Sequence, residues 1–413
     1  MKIFITLFLM NLTIFGQNAF EPVIPASEAS IYREISGLVK DKPEEALKKI
    51  SLLDKSRSAA FDYLAGVLLH QKNEIAAAEE AFLIALKKFP QFYRVHQSLS
   101  IIYLNKNDSK KALKHLFEIV KSGRADGQIW KSVASCYINN GSLDAAEKAL
   151  ENARVFAPDD STLDDIFLNI YVRQEDNSKV LTLARELSEK FPKEKKYLLM
   201  MISALQSQGK SKEALKHFLL YERLFEMENT QMMQLAIMLF NEQLYNQAVD
   251  RFSKVRGELQ NDAILKKAIC FSQIDEHDKV IDTLSTKFVN ASPQENENFY
   301  LLRGNAFLAK DDLHAAEKEY LEALSYNSLN AQVNFNLAQI HETNKDYEKA
   351  LDRYQKAANN ELYAASSYIR KATIYFYQKE YRLALSEAGK ARDIDASPAI
   401  ESFYNQLVKL SGK

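Results

Sequence analysis

The chain has 413 residues, 46% of them hydrophobic and 26% charged, and its 54 Lys and Arg against 55 Asp and Glu leave a net charge of −1. So even a balance argues against a general nucleic-acid binder, whose affinity comes from many cations set against phosphates. Two cysteines are too few for a disulfide framework.

The first predicted element is a leader. Met1-Lys2 is followed by an apolar run from Ile3 to Gly16, broken only by Thr6, Asn11 and Thr13. The run is short of the roughly 20 residues of a spanning helix. Gln17-Asn18-Ala19 then supplies a small residue at a cleavage point. These features predict a secretory signal peptide over residues 1–19, cut after Ala19 or after Gly16, with an uncleaved anchor as the rival reading. The mature chain is then exported and, in a bacterium, periplasmic, with no stable membrane insertion after cleavage.

Residues 20–58 read as a degenerate N-terminal helical hairpin turning at Lys42-Pro43, with Ala46 at its helix crossing. From residue 59 a period takes over. A small residue recurs every 34 positions at Gly66, Ser100, Ala134, Ala236, Cys270, Gly304, Ala338 and Ala372, with Leu168 and Ile202 as exceptions. A second series, 12 residues further on, reads Ala78, Ala112, Ala146, Val180, Ala214, Ala248, Asp282, Ala316, Ala350 and Ala384. Such a period means stacked helix–turn–helix units. Gly66 and Ala78 are placed where antiparallel helices cross, and Phe82 between one hairpin and the next. Pro90 and Pro158 close their units because proline cannot continue a helix.

Leu168 and Val180 predict a splayed or shifted hairpin over 161–194. Around 261–296 the phase slips by two, since Ala268 and Val280 fit better than Cys270 and Asp282, and a long loop from Lys287 to Asn298 should absorb the difference. The slip divides an N-terminal array (59–260) from a C-terminal array (261–398) and is the expected hinge. Residues 399–413 form a capping helix, with Ser397 as cap and Pro398 at its first position. Cys136 and Cys270 read as buried thiols.

Chemistry is hard to find. The 11 glycines form no phosphate-cradling motif, and none of the seven histidines pairs at zinc-ligand spacing. No G-x-S-x-G elbow is present. No cofactor, metal or catalytic residue is assigned, and the chain is expected not to be an enzyme.

The unit Gly66, Ala78, Phe82, Ala85, Pro90 resembles a tetratricopeptide repeat, and the resemblance recurs through Trp130 to Pro158 and from Gly304 to Ala391. It implies an all-α fold: a right-handed α-solenoid of about eleven hairpins with a C-terminal capping helix. The groove of such a fold is lined by the first helix of each hairpin, here by Tyr63, Val67, Arg94, Gln97, Ser135, Asn169, Leu308 and Thr373 among others. Family members that clamp a carboxylate use Lys, Asn, Asn, Lys and Arg. Asn305, Asn336 and Arg370 match three of these, while Leu301 and Ser366 stand where the lysines belong. The expected peptide-binding residues are therefore Asn305, Asn336 and Arg370, with Gln339 and Tyr377 beside them. The stretch Lys88 to His96, with Ser135 to Asn139 and Ala145 to Glu147, resembles exported tetratricopeptide proteins associated with TonB–ExbB–ExbD systems. That implies a protein or peptide partner in an inner-membrane transducer complex. The alternative is an envelope assembly or chaperone-like factor binding extended polypeptides.

Overall fold

The computed structural model describes residues 20–288 and 290–412, so the leader expected over residues 1–19 lies outside it. Among the described residues there are 23 α-helices and no strand. By packing they divide into two compact units, one ending at Ala204 and one beginning at Leu205. The boundary drawn from the phase slip, at 260/261, falls inside the second unit.

The first unit holds five hairpins. They are α1 (Ala29–Asp41) with α2 (Pro43–Ser51), α3 (Ala59–Gln71) with α4 (Ile75–Lys88), α5 (Tyr93–Asn105) with α6 (Ser109–Lys121), α7 (Gly127–Asn139) with α8 (Leu143–Phe156), and α9 (Thr162–Arg173) with α10 (Asn177–Lys190). Helix α11 (Lys195–Ser207) carries the unit boundary. The second unit continues with α12 (Ser211–Leu224) and with hairpins α13 (Asn229–Asn241) and α14 (Tyr245–Phe252), and α15 (Gln260–Gln273) and α16 (His277–Thr283). Then follow α17 (Pro293–Ala309) and α18 (Leu313–Tyr326), α19 (Ala331–Thr343) and α20 (Tyr347–Ala357), and α21 (Glu361–Tyr377) and α22 (Tyr381–Ile394), capped by α23 (Pro398–Ser411).

The turn inside each unit shows why the period is strict. A left-handed residue ends the first helix at Asn73, Asn107, Gly141, Glu175, Gly209, Gln243, Asp275, Asp311, Lys345 and Lys379. The next N–H reaches back five residues, as from Glu74 to the Leu69 carbonyl at 2.9 Å and from Asp312 to that of Phe307 at 2.9 Å. This closure satisfies carbonyls that a helix end leaves without partners. The same next residue caps the second helix, with Asp108, Asp176, Asp312 and Asp346 accepting from backbone N–H groups three residues on. One residue thus ends one helix and its neighbour starts the other, which fixes the hairpin geometry. The phase slip is visible here too: the left-handed residue stands at Asp275, two short of the period, and returns to it at Asp311.

Every position of the 12-offset series except Asp282 is buried, and in that hairpin Val280 takes the crossing. Gly66, Gly304, Ala134, Ala146, Ala316, Ala338, Ala350, Ala372 and Ala384 are all buried, while Pro90 and Pro158 lie exposed just past helix ends. The reason for glycine differs from expectation. A Cβ on Gly66 would meet the Phe82 ring at 2.5 Å, and one on Gly304 the Tyr320 ring at 2.5 Å. Phe82 therefore fills its own hairpin against Gly66, because the second helix leans its ring across the first. The hairpin α9/α10 reverses the arrangement. Leu168 is buried on the first helix, and the position equivalent to Phe82 is Ala184, also buried. These two helices meet along less of their length than α3 and α4 do.

Two local expectations are corrected. Helix α17 begins at Pro293, inside the expected loop, because Ser292 and Glu295 form a reciprocal capping box ahead of it. Ser397 sits at the N-cap of α23 without a side-chain bond; its N–H instead donates to Asp395 Oδ1 at 3.1 Å. Helix α23 seals the last hairpin with Leu407, Phe403 and Tyr404 against Ala372, Ala384 and Ala388.

Candidate peptide-binding faces

In the second unit the polar face centres on Tyr320. This residue holds the interior position that Phe82 holds in its own hairpin, so its ring is buried while its hydroxyl reaches the face of the first helices. The hydroxyl donates to Asn305 Oδ1 on α17 at 2.8 Å and accepts from Asn336 Nδ2 on α19 at 3.0 Å. Asn336 Nδ2 also donates to Asn305 Oδ1 at 3.2 Å. The structure thus brings two of the expected residues together, through a tyrosine that the repeat pattern marks only as a packing position. Asn305 Nδ2, a donor group, and Asn336 Oδ1, an acceptor, keep their hydrogen-bonding capacity. Burial raises the phenol of Tyr320 far above its ordinary value, so it stays a neutral hydroxyl.

Arg370 on α21 takes a different partner. Its Nη1 lies 3.5 Å from Glu342 Oε1, and Glu342 also accepts from the Tyr354 hydroxyl at 2.6 Å. A ligand anion at Arg370 would have to share it with Glu342. The Arg370 side chain is 46% exposed, so this pair adds little stability and leaves Arg370 reachable. Gln339 is half-buried on α19, and Tyr377, 71% exposed at the end of α21, presents its ring outward. Leu301 and Ser366 supply no charge where a carboxylate clamp would carry lysines.

In the first unit the expected lining needs one correction. Tyr63 is only 3% exposed, packed against Phe82 and Phe92 with ring centroids 6.0 and 5.2 Å away. Val67, Arg94 and Gln97 are half-buried, and Ser135 and Asn169 are exposed. The covering of this face involves residues 20–24, which were expected in the N-terminal hairpin and instead precede its first helix at Ala29. Glu21 Oε1 lies 3.4 Å from Arg94 Nε.

Other titratable clusters are structural. His96 Nε2 faces the Pro90 carbonyl at 2.8 Å, so that nitrogen carries a proton, and the Nδ1 lone pair accepts from His115 Nδ1–H at 3.0 Å. Burial and the neighbouring His96 push His115 down to about 4. Cys136 and Cys270 are free and buried, and desolvation raises both thiols to about 11, which makes them poor nucleophiles. Among the described residues no group of three or more His, Cys, Asp or Glu could hold a metal ion, and no helix is long and apolar enough to cross a membrane.

Residues 301–368, from α17 to α21, match the family model described as "Tetratricopeptide repeat". This segment therefore carries tetratricopeptide repeats, and it contains Asn305, Tyr320 and Asn336. Over 132 residues the chain is 27% identical to the Hsp70-Hsp90 organising protein of Plasmodium falciparum (isolate 3D7), a match covering 30% of this chain and 23% of that protein. Among solved structures, the C-terminal part of a repeat-containing protein from Cytophaga hutchinsonii aligns with a TM-score of 0.48 at 10% identity, over 57% of this chain and 98% of that one. MamA from Desulfovibrio magneticus RS-1 aligns with a TM-score of 0.33 at 19% identity, over 43% of this chain and 93% of that one.

Proposed function

We propose that this chain is an exported scaffold of the cell envelope that holds a protein or peptide partner on the first-helix faces of its hairpins, as an accessory of a TonB-type energy-transduction and uptake system. The observation that carries the binding half of the reading is the Asn305–Tyr320–Asn336 network. It fixes two side-chain amides side by side and leaves a donor group on Asn305 and an acceptor on Asn336, the complement of a peptide unit. The match to tetratricopeptide repeats over the same residues supports it, as does the likeness to a protein whose name describes organising two others. The envelope and TonB parts rest on the leader and on the sequence resemblance. No catalytic step is assigned.

In-cell photo-crosslinking with a reactive residue at Gln339 or Tyr377 tests the reading. A single stoichiometric partner among TonB, ExbB and ExbD is expected. Asn305→Ala/Asn336→Ala should lower its yield about tenfold, the equivalent of about 1.4 kcal/mol. A broad set of unrelated polypeptides would favour the assembly-factor alternative, and no captured protein would contradict both.

A further inference from the structure

Residues 20–24 form no helix, yet they are placed by specific chemistry. The Tyr93 N–H, at the start of α5, donates to the Phe20 carbonyl at 3.0 Å. The Arg124 guanidinium lies over the Phe20 ring at 5.2 Å and over the Tyr93 ring at 5.6 Å. One residue on, the Glu21 carboxylate pairs with Arg94, the two side chains only 14% and 19% exposed. The segment therefore occupies two adjacent subsites, a guanidinium that takes an aromatic face and a guanidinium that takes a carboxylate. A cleft of about 230 Å³ lies beside the ring, lined by Gln91, Tyr93, His96 and Glu118 among others.

The hold on this segment is incomplete. Glu21 Oε2 is buried with no hydrogen-bond partner. Removing a carboxylate from water raises its pKa, and the charges of Arg94 and Arg124 only partly reverse that. Val23 is 81% exposed, and the chain is held again only at Ile24, which packs on the core of the first hairpin. A segment that leaves a buried carboxylate oxygen without a hydrogen bond can be displaced by one of the same chemistry that supplies it.

We propose that Phe20-Glu21 is a built-in occupant of a peptide site in the first unit, and that the site takes a partner segment in which an aromatic residue is followed by an acidic one. The partner enters as Phe20 and Glu21 leave. This deepens the peptide-scaffold reading by naming the class of segment bound, and it does not depend on the TonB part.

The test compares the chain with its Phe20→Ala/Glu21→Ala variant. The probe is a fluorescein-labelled peptide of sequence Phe-Glu-Pro-Val-Ile-Pro-Ala-Ser, read by fluorescence anisotropy. The variant should bind at least tenfold tighter than the parent, and adding Arg94→Gln or Arg124→Gln should reverse the gain. Circular-dichroism melts confirm that each protein is folded. Equal affinity for parent and variant, no binding to the folded variant, or binding indifferent to both arginines would overturn the proposal. The crosslinking described above reads positions in the second unit, so the two failures are distinguishable.

Discussion

Hairpins α3/α4 and α9/α10 occupy the same place in the repeat and fill it in opposite ways. In the first, Gly66 on the leading helix leaves room for the Phe82 ring of the following one. In the other, Leu168 supplies bulk from the leading helix, and Ala184 stands where a ring would be. Neither position has to be small by itself; what matters is how two positions sixteen apart share a closed volume. The last hairpin makes the same point differently. Ala372 and Ala388 are both small, and Leu407 of the capping helix joins their cluster. Packing at near-crystalline density explains why bulk must come from somewhere.

Enlarging Gly304 should break the comparison most forcefully. A Cβ there already meets Tyr320 at 2.5 Å, so Gly304→Leu should cost about 3 kcal/mol or more, above the usual range for overpacking. Urea unfolding reads the loss, and it should shrink when Tyr320→Ala is added. Enlarging a helix crossing, as in Ala146→Phe or Ala350→Phe, should cost at least about 1–3 kcal/mol, since both alanines have no exposed surface. A parent-like melt for either variant would place the register wrongly.

Hairpin α5/α6 sharpens the comparison because it puts Leu116 at the Phe82 position and buries two imidazoles beside it. His115 is held down to about 4, mainly by burial and next by His96, against an unfolded value of about 6.5. The unfolded chain therefore takes up a proton first as pH falls. Stability should be unaffected above about pH 6.5, decline by about 3 kcal/mol between 6.5 and 4, and level off below. His96→Leu/His115→Leu should flatten that slope in urea titrations across the window; an unchanged slope would mean the pair does not cause it.

The smallest effects lie in the turns. Glu175 and Lys345 hold left-handed backbone at φ of 58° and 61°. Replacing either by glycine should stabilise by up to about 1 kcal/mol by removing the Cβ clash, whereas Gly141→Ala should cost a similar amount. Thermal melts resolve both signs.

Much of the fold was legible because a hairpin repeated in one chain shows its spacing many times over. Ala78 and its equivalents marked the helix crossings, and Val280 marked the slip. The reason for Gly66 was not legible, because sequence does not say which neighbour fills the space a missing Cβ leaves. The turn residues were half legible: Gly141 and Gly209 advertise left-handed backbone, while Gln243 and Lys379 adopt it without doing so. At the candidate faces Asn305 and Asn336 were visible, but Tyr320 read as core because its hydroxyl and its ring do different work. A tyrosine where three other repeats carry Phe82, Phe218 and Phe252 was the available signal. Phe20 and Glu21 gave none, since their partners Arg94 and Arg124 lie far along the chain.

The most direct test of volume sharing within each hairpin is to exchange the two solutions in α9/α10. Leu168→Gly alone should cost about 3–5 kcal/mol, part cavity and part glycine propensity, and Ala184→Phe alone about 1–3 kcal/mol from overpacking. The double variant, which recreates the Gly66–Phe82 pairing, should recover at least about 2 kcal/mol of their sum in a double-mutant cycle. Additive losses, or singles that melt like the parent, would contradict the account.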